Sequence, residues 1–126
     1  MRYFLDTHIL VWRFVESHRM PKTLRPLFLK EENEFLIPTI SLLETQYLIE
    51  IGRIEVEIEQ VLTTIQENPA FQLAAYDEAI LLHSLRLTTT RDPFDRIILA
   101  HALATSTKII TTDTWMKHTA PHLVVS

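Results

Sequence analysis

Four carboxylates stand where oxygen chemistry can be done: Asp6, Glu44, Asp95 and Asp113. Asp6 follows the short, aromatic, β-prone run Arg2-Tyr3-Phe4-Leu5, and Asp113 follows Lys108-Ile109-Ile110-Thr111-Thr112. Each falls just past the expected end of a strand. Glu44 and Asp95 lie in helical stretches whose neighbouring positions are apolar. Held together without counter-charge, four carboxylates repel and their pKa values spread upward. A hard divalent cation resolves the conflict, because Mg²⁺ and Mn²⁺ prefer oxygen ligands. In such a pocket a cation can orient and deprotonate a water and stabilise charge on a phosphodiester. Two cations, roughly 3.5–4 Å apart, hold both the attacking and the leaving oxygen.

Each acid also has a plainer account. Asp6 can be the N-cap of the helix that follows it, and Asp113 can cap the turn at Thr114-Trp115. Asp92 with Pro93 at the first helical position is a good capping arrangement, which favours a structural role for Asp92. Asp95 then falls at N3, where an acid suits the helix dipole. Glu44 is the hardest to explain plainly, since an unpaired carboxylate on an apolar face is costly. His101, inside an apolar helix, reads as a hydrogen-bonded core histidine, and Trp12, Phe14, Trp115 and Met116 read as core.

Other chemistry is excluded by composition. There is no cysteine, hence no disulfide, thiolate zinc site or cysteine nucleophile. Gly52 is the only glycine, so no phosphate-cradling glycine loop can form. No Gly-x-Ser-x-Gly elbow or His-Glu-x-x-His pair is present.

The elements that must position the acids alternate. Strands are expected at Arg2–Leu5, Phe35–Ile37 (stopped by Pro38), Phe71–Ala74, Lys108–Thr111 and Leu123–Val125. Helices are expected at Ile9–Phe14, Leu24–Lys30, Thr39–Ile51, Glu55–Glu67, Asp77–Leu85 and Pro93–Thr105. In the third of these, Ile40, Leu43, Tyr47, Leu48 and Ile51 form the apolar face that Glu44 shares, and Gly52 is the C-cap. In the next, Glu55, Glu57 and Glu59 suit the first turns. Alternation of this kind predicts an α/β fold with a mainly parallel sheet covered by helices. Ligands then bind beyond the carboxyl ends of the strands, where Asp6 and Asp113 open.

The 126 residues, 47% hydrophobic, predict a single domain over residues 1–126. No apolar run approaches a membrane span, and Met1-Arg2-Tyr3-Phe4-Leu5-Asp6 does not read as a signal peptide; a cytoplasmic protein is expected. The formal net charge of −4 opposes phosphate binding, but two Mg²⁺ ions at the four acids would bring it to zero. Arg13, Arg86, Arg91, Arg96, Lys108 and Lys117 are the cations for a phosphate-binding rim.

Together, Leu5-Asp6-Thr7-His8, Ser41-Leu42-Leu43-Glu44, Asp92-Pro93-Phe94-Asp95-Arg96 and Thr111-Thr112-Asp113 resemble the PIN domain, of the kind found as VapC-type toxins. The resemblance runs from about Arg2 to Val125. It implies a three-layer α/β/α fold and a Mg²⁺- or Mn²⁺-dependent ribonuclease whose catalytic and metal-binding acids are Asp6, Glu44, Asp95 and Asp113. Thr111 matches the hydroxyl residue before the last acid, Thr7 lies beside the first, and Arg96 matches the motif arginine, as an ion-pair partner of Asp92 or another acid rather than a substrate contact. The resemblance further implies an RNA substrate, a small antitoxin that blocks the site, and a homodimer. Thr88-Thr89-Thr90 departs from the pattern, since many relatives carry a histidine there. The alternative reading is a catalytically silent PIN-like module that binds RNA or protein. A phospho-accepting receiver domain, or a phosphatase of the Asp-x-Asp type, needs paired acids after the first strand, whereas this chain has Asp6-Thr7-His8.

Overall fold

Alternate residues of the strands bury on opposite faces of one sheet, and that alternation sets the layers. A computed structural model describes residues 1–126. Its elements run β1 (Arg2–Leu5), α1 (Thr7–Phe14), a 3₁₀ turn (Arg25–Leu29), β2 (Glu34–Pro38), α2 (Thr39–Glu50), α3 (Ile58–Glu67) and β3 (Phe71–Ala74). They continue with α4 (Glu78–Arg86), α5 (Pro93–Thr105), β4 (Lys108–Ile110), α6 (Thr114–Thr119) and β5 (Val124–Val125). The five strands are all parallel, in the order β3-β2-β1-β4-β5. Tyr3, Leu5, Phe35, Ile37 and Ile110 point to one face, where Ile9 and Leu10 of α1 and Val61 and Ile65 of α3 cover them. Phe4, Leu36 and Ile109 point to the other, under Ile80 of α4, Ile98 and Leu99 of α5 and Met116 of α6. The result is the three-layer α/β/α arrangement expected from the alternation of elements.

Strand order reverses at β1: β2 and β3 build outward on one side, β4 and β5 on the other. A parallel sheet opens a crevice at such a switch point, at the carboxyl ends of the two diverging strands. Leu5 pairs with Ile110, so the next residues of the two chains, Asp6 and Thr111, emerge side by side.

Several local expectations need correction. The short helix expected over Leu24–Lys30 is of the 3₁₀ type and spans Arg25–Leu29, with Pro26 among its first residues. Pro38 is the last residue of β2, paired with Ala74, so the strand stops there as expected but includes the proline. α3 begins at Ile58, so only Glu59 of the three acids stands in its first turn. Residues beyond Asp113 form a full short helix, α6.

The largest correction concerns α2. Leu43, Tyr47 and Ile51 are exposed, at 58%, 49% and 47%. The buried face is instead Ser41, Glu44, Thr45 and Leu48, spaced i, i+3, i+4, i+7. Side chains with hydroxyls and a carboxyl turn inward because that face packs beside α1 and α5 at the crevice, not on the apolar centre of the sheet. Gly52 ends α2 as expected. With φ of 75° it takes the left-handed position, its N–H bonding Ile49 O while Arg53 N–H bonds Leu48 O, the paired closure of a Schellman motif.

Candidate active site

Asp6 is the first residue after β1, and its carboxyl is held from two sides. Oδ1 accepts from the Thr7 amide at 2.8 Å, and Oδ2 accepts from the Thr111 hydroxyl at 2.6 Å. The first bond makes Asp6 an N-cap of α1, but one reaching only the N1 amide; the second ties it across to the end of β4. The Thr111 hydroxyl also accepts from the Asp113 amide at 3.0 Å. One buried hydroxyl therefore sets two acids, Asp6 directly and Asp113 through its backbone. Asp113 in turn caps α6, its Oδ2 accepting from Met116 N at 2.9 Å. For both strand-end acids the capping role and the crevice position coexist.

Asp92 and Pro93 start α5 as their types dictate. Asp92 Oδ1 accepts from Phe94 N at 2.9 Å and Asp95 N at 3.3 Å. That places Asp95 one turn inside the helix, half-buried, with no hydrogen bond to its carboxyl. Burial is the main reason its pKa rises, to about 8, and the charges of Asp6, Asp92, Asp113 and Glu44 add to the rise. Glu44 is buried and also raised, by burial first and then by Asp6 and Asp92, against a lowering influence of the Thr7 hydroxyl. Asp6 is raised by burial, although Thr111 and the Thr7 amide favour its charge. Carboxylate oxygens of Glu44, Asp92 and Asp95 all lie within 4.8 Å of one another.

Arg96 contributes no counter-charge here. Its guanidinium donates through Nε and Nη2 to Ser84 O, at 3.2 and 2.9 Å, and from Nη2 to Leu85 O at 3.4 Å. It closes the carboxyl end of α4 and makes no ion pair with Asp92; the one ion pair in the chain is Arg2–Glu34. Removing a charged donor from carbonyls of this kind costs about 1.5–3 kcal/mol. Arg96→Ala is therefore expected to lower the melting temperature of the cation-free protein by several degrees, with the affinity for Mn²⁺ little changed. Calorimetric melting alongside a Mn²⁺ titration checks both halves.

The acids thus share one edge of the sheet with no ion pair to neutralise them, although the His8 ring acts electrostatically on Asp6 and Glu44. All the donors are oxygen, and the buried Thr7 Oγ1 beside Glu44 has no hydrogen-bond partner. That donor set fits a hard divalent cation. Of the cations expected to form a rim, Arg13 sits late in α1 and Lys108 opens β4, both at the opposite edge; Lys108 Nζ there donates to His122 O. Arg86, Arg91 and Lys117 remain. A surface cleft of about 560 Å³, lined by Trp12, Arg13, His18, Arg25 and Phe28, also belongs to that opposite edge. Cleft size therefore does not mark the acids. His101 is a core residue packed on Phe4, but its Nε2 lacks the expected hydrogen bond, and burial lowers its pKa to about 4.

Two features of the crevice escape a reading of spacing alone. The Asp92 carboxyl joins the cluster as well as capping α5, and Ser41 and Thr45 share the buried face with Glu44. The signal for the second was available, as hydroxyl residues at i−3 and i+1 from an acid mark a polar inward face.

No curated protein matches the sequence. Among solved structures, a chain of a toxin–antitoxin complex from Klebsiella pneumoniae is 21% identical, with a TM-score of 0.68 over 98% of this chain and 96% of that one. A chain of VapBC2 from Rickettsia felis, bound to a DNA fragment from its promoter, is 19% identical, with a TM-score of 0.71 over 100% and 98%. A chain of DNA-bound VapBC from Salmonella typhimurium is 19% identical, with a TM-score of 0.69 over 100% and 97%. At these identities the likeness is one of fold. The PIN domain family model matches residues 3–120, and with that match over nearly the whole sequence, the chain belongs to the PIN domain family.

Proposed function

We propose that this chain is an endoribonuclease dependent on Mg²⁺ or Mn²⁺, and the toxin of a type II toxin–antitoxin pair. The observation that carries the reading is the gathering of Asp6, Glu44, Asp95 and Asp113 at one sheet edge without an ion pair to any of them. PIN domain membership and the toxin–antitoxin neighbours support it.

When bound, a divalent cation would supply Lewis acidity for water activation and for charge developing on a phosphodiester. The protein's own part is positional. Thr111 fixes the Asp6 carboxyl and the Asp113 backbone, so both strand ends present oxygens in one direction. Glu44 and Asp95, on α2 and α5, complete the donor set from the helices. Without a cation Asp95 retains its proton near neutral pH, and it releases that proton as a cation binds. Arg86, Arg91 and Lys117 are the cations left to hold RNA phosphates.

We assign the chain an antitoxin partner and a homodimeric state on the same footing, and we read it as one domain in the cytoplasm. No helix is long and apolar enough to cross a membrane. Leu43, Tyr47 and Ile51 on α2, with Leu81, Leu82 and Leu85 on α4, leave apolar surface for protein partners.

The test is cleavage of an RNA panel by purified protein, with and without Mn²⁺. The expected result is cleavage that needs the cation and is lost in Asp6→Asn. Parent-like cleavage by Asp6→Asn, or cleavage in excess chelator, overturns the reading. Mn²⁺ binding without turnover on any RNA would support the silent binding module instead.

A further inference from the structure

The two poles of the acid cluster are built differently. Asp6 and Asp113 are fixed by Thr111 and by backbone amides. Glu44 and Asp95 have no such clamp, yet they lie with Asp92 inside a 4.8 Å span of ligand oxygens. The capping duty of Asp92 uses only Oδ1, which accepts both helix amides. Oδ2 is free, and the Asp92 charge acts on both Glu44 and Asp95.

A separate observation points to a ligand at this pole. Thr7 Oγ1 is wholly buried and near enough to the Glu44 carboxyl to favour its charged form, but no acceptor, Glu44 included, stands in good hydrogen-bond geometry to it. A buried hydroxyl left in that state costs about 1–3 kcal/mol. A hydrated cation on Glu44 supplies what it lacks, since Mg²⁺ keeps several of its waters.

We propose that Asp92 is a cation ligand as well as a helix cap: Oδ1 starts α5, and Oδ2 joins Glu44 and Asp95 in holding a divalent ion. This rests on the divalent-cation reading above and deepens it. It assigns a fifth acid to the site, one the sequence marks as structural. It also explains why the cap at this position is an aspartate when serine, threonine or asparagine would start the helix as well.

The experiment uses Mn²⁺ alone as probe, titrated calorimetrically into full-length protein. Asp92→Asn retains an N-cap of equal rank, and Asp92→Ser retains a cap while removing the ligand altogether. Both variants should match the parent's melting temperature without cation, within about two degrees. Both should bind Mn²⁺ at least tenfold more weakly, with Asp92→Ser the weaker. The loss should be equal at 0.05 M and 0.5 M KCl, because a charge acting only at a distance is screened by salt, whereas a ligand is not. Parent-like Mn²⁺ affinity in both variants, or a deficit that vanishes at 0.5 M KCl, overturns the proposal and leaves the nuclease reading standing. A parent that binds no Mn²⁺ overturns both.

Discussion

Asp95→Asn should abolish cation-dependent RNA cleavage and, in the same protein, raise the stability of the cation-free fold at pH 8. The two effects have one cause. The Asp95 carboxyl is half-buried among four other acids, and its pKa rises from 3.8 to about 8. A carboxyl whose folded pKa exceeds its unfolded value stabilises the fold in its protonated form. That contribution is complete below pH 4 and is lost as pH rises from about 4 to about 8. The cation-free parent should therefore weaken over this range, and Asp95→Asn, which cannot ionise, should not. The difference at pH 8 is on the order of a few kcal/mol, allowing for the solvent that reaches a half-buried group.

Mn²⁺ should reverse the order. At a concentration 100 times its dissociation constant, a cation that binds only the folded state adds about 2.7 kcal/mol. Asp95→Asn should gain little of this, and its cleavage should fall by more than about 10²-fold, since even outer-shell partners of a metal site are worth 10–100-fold. Calorimetric melting at pH 5 and pH 8, with and without Mn²⁺, together with the cleavage assay, gives the full comparison. If Asp95→Asn is less stable than the parent at pH 8 without cation, the electrostatic account of the cluster fails. If it cleaves normally, the assignment of Asp95 to the site fails.

This opposition between stability and function explains which parts of the molecule could be read before the structure. Strand alternation and helix punctuation obey local rules. Asp92-Pro93 starts α5 and Gly52 closes α2 where the residue types require. The strand-end acids were legible because a parallel sheet opens at its carboxyl edge, whatever the rest of the chain does. Reading failed where a side chain answers to a distant element. Arg96 bonds carbonyls twelve and eleven positions earlier, a contact that exists only once α4 and α5 pack. The apolar residues of α2 predict an inward-facing stripe, but the crevice takes Ser41, Glu44 and Thr45 and leaves Leu43, Tyr47 and Ile51 outside. Asp92 was read correctly as a cap, but a capping carboxyl has two oxygens and the sequence accounts for only one.

The smallest substitution with a large expected effect is Thr111→Val, which exchanges a hydroxyl for a methyl at a wholly buried position. Shape and β-propensity are kept, so β4 should form. What disappears is the 2.6 Å bond into Asp6 and the acceptor for the Asp113 amide. Asp6 keeps only the Thr7 amide. Because Thr111 is the main influence lowering an Asp6 pKa already raised by burial, the pKa should climb further. The expected outcome is a 10–100-fold loss of Mn²⁺ affinity and of cleavage at pH 7. That loss should shrink as pH rises, because alkali favours the charged form that the Thr111 hydroxyl otherwise supports. Thr111→Ser restores the hydroxyl and should recover most of both, whereas Asp95→Asn should gain nothing from alkali. The pH profile of cleavage therefore separates the two kinds of defect. A Thr111→Val protein whose deficit does not change with pH would show that the hydroxyl orients Asp6 without setting its charge. Equal activity in Thr111→Val and the parent would remove Thr111 from the site.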